Sequence, residues 1–157
     1  MPRSLRLLFC SLLVLLPTAA WAQAGVTIAG IEARLFYSNS GRLSANVIGN
    51  PKITLHNVII GEGGVEGPSE QTLLVVLLQG APKSHHDGLS LRITAVTEAD
   101  TLADEVIEVG TFNTSGNYYA PCWLPETGCE PIQIFVELSD GKKAIRAKSS
   151  LPFDCAE

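Results

Sequence analysis

Apolar and polar residues alternate along most of this chain, and the alternation has the two-residue period of a β-strand rather than the period of a helix. The clearest stretch is 91–95, where Leu91, Ile93 and Ala95 alternate with Arg92 and Thr94. Clusters of Gly, Pro, Asn and Asp separate such stretches at intervals of about 10 to 20 residues, which is typical of an all-β domain. The pattern therefore predicts short strands joined by turns.

About seven or eight strands follow from this pattern. They are predicted at residues 31–37, 53–60, 72–78, 91–95, 105–112, 118–124, 132–138 and 145–153. Asp140-Gly141 marks a tight hairpin between the last two strands. Apart from a short stretch at 101–107, no window after residue 22 has sustained helical spacing. The fold class is therefore predicted to be all-β, an antiparallel β-sandwich, with an up-and-down barrel or a jelly roll as alternatives.

In architecture, the predicted sandwich resembles immunoglobulin and fibronectin type III domains. The resemblance rests on strand number and spacing, because the antibody pattern of Cys, then Trp, then Cys across the two sheets is missing. Trp123 follows Cys122 directly. The resemblance therefore implies a sandwich and carries no activity with it.

The first twenty-two residues have the organisation of a secretory signal peptide. Arg3 and Arg6 precede an apolar stretch at 7–16, and Ala20-Trp21-Ala22 supplies small residues for cleavage. An apolar stretch of about ten residues is half of what a membrane-spanning helix needs. We expect residues 1–22 to be removed and residues 23–157 to form one domain in the periplasm or outside the cell.

Charge narrows the range of partners. The expected mature chain keeps nine Lys and Arg against sixteen acidic residues, which gives a net charge of −7. Nucleic acids and anionic membrane surfaces attract basic proteins, so neither is an expected partner.

Three cysteines follow residue 22, so one internal disulfide leaves one thiol over. The hairpin at residues 140–141 returns the last strand beside 132–138 and brings Cys155 towards Cys129, with a bulge near residue 130 to correct the register. We therefore predict a Cys129–Cys155 disulfide and a free Cys122 thiol that is buried and inert. A Cys122–Cys129 disulfide is the alternative.

Candidate catalytic chemistry is sparse. His85 and His86 precede Asp87 in a polar turn, and His56 lies elsewhere in the sequence. Adjacent side chains on an extended chain point in opposite directions, so the pair is expected to form an exposed turn rather than a metal site. We expect no catalytic residue, metal or cofactor. The alternative is a metal-binding or small hydrolytic protein that uses His85, His86 or His56.

An unbroken apolar run at 73–78 departs from the alternation elsewhere. An antiparallel sandwich strand normally has polar residues on its outer face, so one set of three apolar side chains here lacks a core. Cover by the loop at 61–71 or by the mature N-terminus is one explanation, and a partner or dimer surface is the other. The candidate partner surface consists of Leu73, Leu74, Val75, Val76, Leu77 and Leu78.

These observations lead to one functional expectation. The chain is expected to be an exported, non-catalytic binding or structural module of the periplasm or cell envelope. Its expected partner is another envelope or secreted protein, or a second copy of itself.

Overall fold

The structure, a computed structural model, describes residues 25–50, 52, 55, 69, 71–125, 127 and 130–154. This part of the chain forms eight β-strands and no helix. In chain order the strands are β1 (Thr27–Tyr37), β2 (Arg42–Leu43), β3 (Gln71–Gln79), β4 (Ser90–Val96), β5 (Thr101–Glu108), β6 (Asn117–Pro125), β7 (Ile132–Ser139) and β8 (Ala144–Leu151).

The strands form two four-stranded sheets, and every neighbouring pair is antiparallel. Sheet I has the order β2-β1-β3-β6, and sheet II has the order β5-β4-β7-β8. Together they make the all-β sandwich that the two-residue period predicts. Because all the pairs are antiparallel, short turns can connect neighbouring strands.

The core lies between the two inner faces, to which each strand contributes every second residue. Burying one of these aliphatic side chains contributes roughly 1.5 to 3 kcal/mol. The fully buried apolar members from the central strands are Ala33 of β1, Leu74, Val76 and Leu78 of β3, Leu91, Ile93 and Ala95 of β4, and Ile132 and Ile134 of β7.

The β7–β8 hairpin confirms the turn predicted at residues 140–141. Gly141 has a φ of 79°, which lies in the left-handed region that the turn requires. The Asp140 carboxylate accepts hydrogen bonds from the backbone N–H groups of Lys142 and Lys143, at 2.9 and 2.8 Å. These bonds hold the pKa of Asp140 below its ordinary value, because they favour the charged carboxylate.

Two predicted strands differ from the structure by more than two residues, and one strand was not predicted. β1 begins at Thr27, four residues before the predicted strand at 31–37. β5 runs from Thr101 to Glu108, so the predicted strand at 105–112 begins four residues late and ends four residues late. β5 is the edge strand of sheet II, and most of its residues are exposed, which weakens the alternation. β2 has only two residues, and no pattern in the sequence predicted it. The strand predicted at 53–60 lies outside the described residues, except for Leu55.

Candidate binding surface

The structure divides the apolar run of β3 into two faces. Leu74, Val76 and Leu78 are fully buried in the core. Leu73, Val75 and Leu77 are only partly buried and lie on the outer face of sheet I. The second set therefore carries the candidate partner surface, and the first set belongs to the core.

Neighbouring strands extend this outer surface sideways. Leu73 pairs with Trp123, Val75 with Pro121 and Leu77 with Tyr119, all on β6. On the other side, Phe36 of β1 pairs with Leu43 of β2. We call this surface the apolar face; its members are Phe36, Leu43, Leu73, Val75, Leu77, Tyr119, Pro121 and Trp123.

Two aromatic side chains of the apolar face are about half exposed. Tyr119 is 55% exposed and Trp123 is 46% exposed. Trp123 also meets Phe36 edge to face, with 5.8 Å between the ring centroids. Sequence reasoning found the run in β3 and missed these rings. The available signal was the strand at 118–124, whose outward positions hold Tyr, Pro and Trp instead of charged residues.

Charge is nearly absent from the apolar face. Among the described residues of sheet I, Glu32 and Arg34 are the only charged side chains on the outer side, and they form an ion pair of 2.8 Å. Their strand neighbours are Val75 and Leu73. The pair therefore neutralises itself next to the apolar side chains of β3.

A gap in the side chains lies at one end of this face. Gly30 pairs with Leu77, which in turn pairs with Tyr119. A Cβ atom built on Gly30 would meet no heavy atom within 4 Å. The surface beside Leu77 is therefore open, with room for a side chain from another molecule.

The outer face of sheet II is different. Arg92 donates two hydrogen bonds to Asp104, at 2.7 and 2.6 Å, and Arg146 donates one to Glu137 at 2.6 Å. The bonds from Arg92 hold the pKa of the Asp104 carboxyl below its ordinary value. An open recess on this face surrounds Phe135, and four of its eight lining residues are charged. Such a face is suited to contact with water.

The two histidines of the described turn do not converge. His85 lies 3.2 Å from an Asp87 carboxylate oxygen, and both side chains are exposed. His86 instead contacts the Ser84 hydroxyl at 3.1 Å and the Phe112 ring at 5.9 Å between centroids. No group of three His, Cys, Asp or Glu side chains in the described part is placed to hold a metal ion. His56 lies outside the described residues.

Cys122 is a free, buried thiol on the inner side of β6. Burial raises its pKa to about 12, and the nearby Glu105 carboxylate adds to the shift. The thiolate is the reactive form of cysteine, so this thiol is protected both by its pKa and by its burial. Cys129 and Cys155 lie outside the described residues, so their pairing stays a prediction.

The cysteines give one testable prediction. Iodoacetamide at pH 8 should leave Cys122 unmodified in the folded protein and modify it fully in denaturant, because the buried thiol stays protonated. The same peptide map, made without reduction, should contain a linked Cys129–Cys155 pair. Rapid native labelling of Cys122, or a bridge that includes it, would contradict the prediction.

The fold and this surface define an all-β sandwich with one apolar outer face. Comparison with known proteins finds no family model and no curated protein that matches the chain. In the described residues, no helix is long and apolar enough to cross a membrane.

Proposed function

We propose that this protein is an exported, non-catalytic module that binds another envelope or secreted protein through the apolar face. The observation that carries the proposal is the contrast between the two outer faces. One is aromatic and nearly free of charge, whereas the other carries Arg92, Asp104, Glu137, Arg146 and Lys148.

The composition of the apolar face favours a protein as the partner. The centres of protein interfaces are rich in Tyr, Trp, Phe and Arg and poor in Lys, Glu and Asp. Tyr119, Trp123 and Phe36 lie here with one Arg, and no Lys occurs in the described part of this face. The partner should present a flat apolar surface, because the apolar face is the surface of a sheet with one small gap at Gly30.

Free energy also favours covering this face. About half of Trp123 and of Tyr119 is exposed, and covering the remaining surface removes about 100 Å² of each side chain from water. At about 25 cal/mol per Å², each ring then contributes roughly 2.5 kcal/mol to binding. Interface residues of this strength are the few that dominate affinity.

Export and a disulfide belong to the same proposal. The pattern at residues 1–22 supports cleavage after Ala22, and the cysteines after it support one bridge in an oxidising compartment. We also propose an architecture like that of immunoglobulin and fibronectin type III domains, because two antiparallel sheets support it without specifying the family. No catalytic role is proposed for His85 or His86, whose side chains point to different neighbours.

A matched pair of substitutions tests the binding surface. Trp123→Ser removes an aromatic ring from the apolar face, and Phe135→Ser removes a ring of similar exposure from the charged face. The exported chain is crosslinked in intact cells. Its intact mass should be that of a chain that begins at Gln23. Trp123→Ser should weaken the affinity for the partner by about 30-fold, as expected for loss of about 2 kcal/mol, so that the main crosslinked heterocomplex is largely lost, and Phe135→Ser should leave it unchanged.

A third variant tests the open gap. Gly30→Arg adds a long side chain where the folded monomer has free space, so the thermal midpoint should change little while the complex is lost. If Trp123→Ser and Gly30→Arg lower the midpoint of the isolated monomer, the face is covered by the protein's own chain. That result, or equal crosslinking by all variants, contradicts the proposal.

A further inference from the structure

The four sheet edges of this sandwich differ in how they are protected. An edge strand exposes backbone N–H and C=O groups that can pair with another chain, and proteins usually block it by shortness or proline. In sheet I, β2 has only two residues and pairs with the end of β1, and the loop at 44–47 forms hydrogen bonds with the backbone of Ala33 and Leu35. Residues 27–31 of β1 have no such cover among the described residues. The β6 edge has nine residues, and two of them are prolines.

The prolines of β6 occupy positions that block pairing. The Gly116 carbonyl accepts a hydrogen bond from the Gly80 N–H on the β3 side. Because backbone direction alternates along a strand, even-numbered residues of β6 face β3 and odd-numbered ones face the open edge. Pro121 and Pro125 are odd-numbered, so they remove two donors from that edge without breaking the β3 ladder.

In the part of the chain that the structure describes, the edges of sheet II have neither device and carry charged side chains instead. β5 and β8 are its edges, each has eight residues, and neither contains a proline. The Val109 N–H donates to the Leu89 carbonyl, so from residue 103 to residue 108 the even-numbered residues of β5 direct their backbone groups to the open edge. In the last hairpin the Asp140 N–H donates to the Lys143 carbonyl, so odd-numbered residues of β8 direct their backbone groups to β7. The even-numbered residues of β8 therefore direct theirs to the open edge.

The two open edges carry opposite charges. Residues 98–108, which include β5, hold five acidic residues and no basic one. Residues 142–148, which lead into and include most of β8, hold four basic residues and no acidic one. Among the outward-facing positions, Asp104 and Glu108 lie on β5, whereas Arg146 and Lys148 lie on β8. Asp104 and Arg146 also form ion pairs within the sheet, with Arg92 and Glu137, so Glu108 and Lys148 carry most of the difference in charge between these edges.

Strand direction also fits the pairing of these two edges. All three pairs in sheet II are antiparallel, so in a four-stranded sheet β5 and β8 run in opposite directions. A second copy in the same orientation therefore brings its β5 antiparallel to β8 of the first. The result is a continuous antiparallel sheet in which every copy uses both edges.

We propose that copies of this chain assemble edge to edge, with β8 of one copy paired to β5 of the next. Pairing of β8 with β8, or of β5 with β5, places like charges together and is disfavoured. The favoured contact is head to tail, so it leaves one free edge of each kind and continues into a filament rather than closing as a dimer. This inference does not rest on the apolar face, which lies on the other sheet.

Charge reversal at one edge at a time tests the assembly. Arg146→Glu with Lys148→Glu makes the β8 edge acidic, and Asp104→Lys with Glu108→Lys makes the β5 edge basic. In sedimentation velocity at low salt, the sedimentation coefficient of the wild-type chain should increase with protein concentration. It should decrease as salt is added, because salt screens the charges at the edges. Each double variant alone should stay monomeric. An equimolar mixture of the two should assemble again, because one variant then has two acidic edges and the other has two basic edges.

Two controls separate charge at the edges from charge in general. Lys52→Glu with Lys83→Glu changes the net charge by the same amount as the β8 variant at exposed positions outside sheet II, and it should leave assembly intact. Trp123→Ser should also leave it intact, whatever its effect on partner binding. A wild-type chain that is monomeric, an assembly that stops at a dimer, or a mixture that fails to reassemble while both variants keep the wild-type circular dichroism spectrum overturns the proposal.

Discussion

Leu74→Ala is expected to lower the free energy of unfolding by about 2 to 5 kcal/mol, through lost burial and the cavity left behind. Leu74 is fully buried between the sheets, where its neighbours cannot close the space without moving a strand. The midpoint of thermal unfolding should fall by roughly 10 °C for a domain of this size. Urea unfolding of residues 23–157, followed by circular dichroism, measures the change.

Leu73→Ala is the matched control, because it removes the same atoms from the next residue of the same strand. Its side chain is already partly in water on the apolar face, so the expected loss is about 1 kcal/mol. The difference between the two variants measures the asymmetry of β3. Equal losses in the isolated monomer would mean that both faces are buried within the chain, and the partner surface would then have to be abandoned.

Gly116→Ala is expected to destabilise the domain by about 3 kcal/mol, the sum of two effects. The φ of Gly116 is 77°, a conformation that costs an alanine about 1 to 2 kcal/mol. A Cβ atom there would also overlap the carbonyl oxygen of Gly80, so the backbone must shift. That shift disturbs the hydrogen bond from the Gly80 N–H to the Gly116 carbonyl, which closes the end of the β3–β6 ladder.

Gly141→Ala separates the two effects. Gly141 has nearly the same φ, 79°, but a Cβ atom there meets nothing within 4 Å. We therefore expect only the conformational cost, about 1 to 2 kcal/mol. If both variants lose the same stability in urea unfolding, the close approach of Gly116 to Gly80 contributes nothing and the prediction for Gly116 is wrong.

The two outer faces suggest how one small sandwich can make two kinds of contact. The apolar face of sheet I exposes aromatic rings, and Pro121 and Pro125 remove donors from its β6 edge. Sheet II has a charged outer face, and its two described edges contain no proline and carry opposite charges. Binding through the face and assembly through the edges therefore use different parts of the molecule and can be tested separately.

Local signals in the sequence were sufficient for much of the fold. The alternation around Ile93 and Ile134 predicted strands that the structure contains, because the pattern of burial along a strand reflects its two-residue geometry. Asp140-Gly141 predicted the last hairpin for a similarly local reason. β5 was misplaced because an edge strand buries few side chains, and the alternation is weak where burial is weak.

The sequence by itself determined that the chain is β-rich and that residues 73–78 have more apolar surface than one core face needs, and it predicts export from the pattern at residues 1–22. Only the tertiary structure decided which three of those side chains face outward, and that Trp123 and Tyr119 lie beside them. The reason is that a strand's alternation fixes two faces but does not say which one meets the other sheet. The opposite charges at the edges of sheet II were also invisible in the sequence, because residues 98–108 and 142–148 become the two edges of one sheet only when β4 and β7 lie between them.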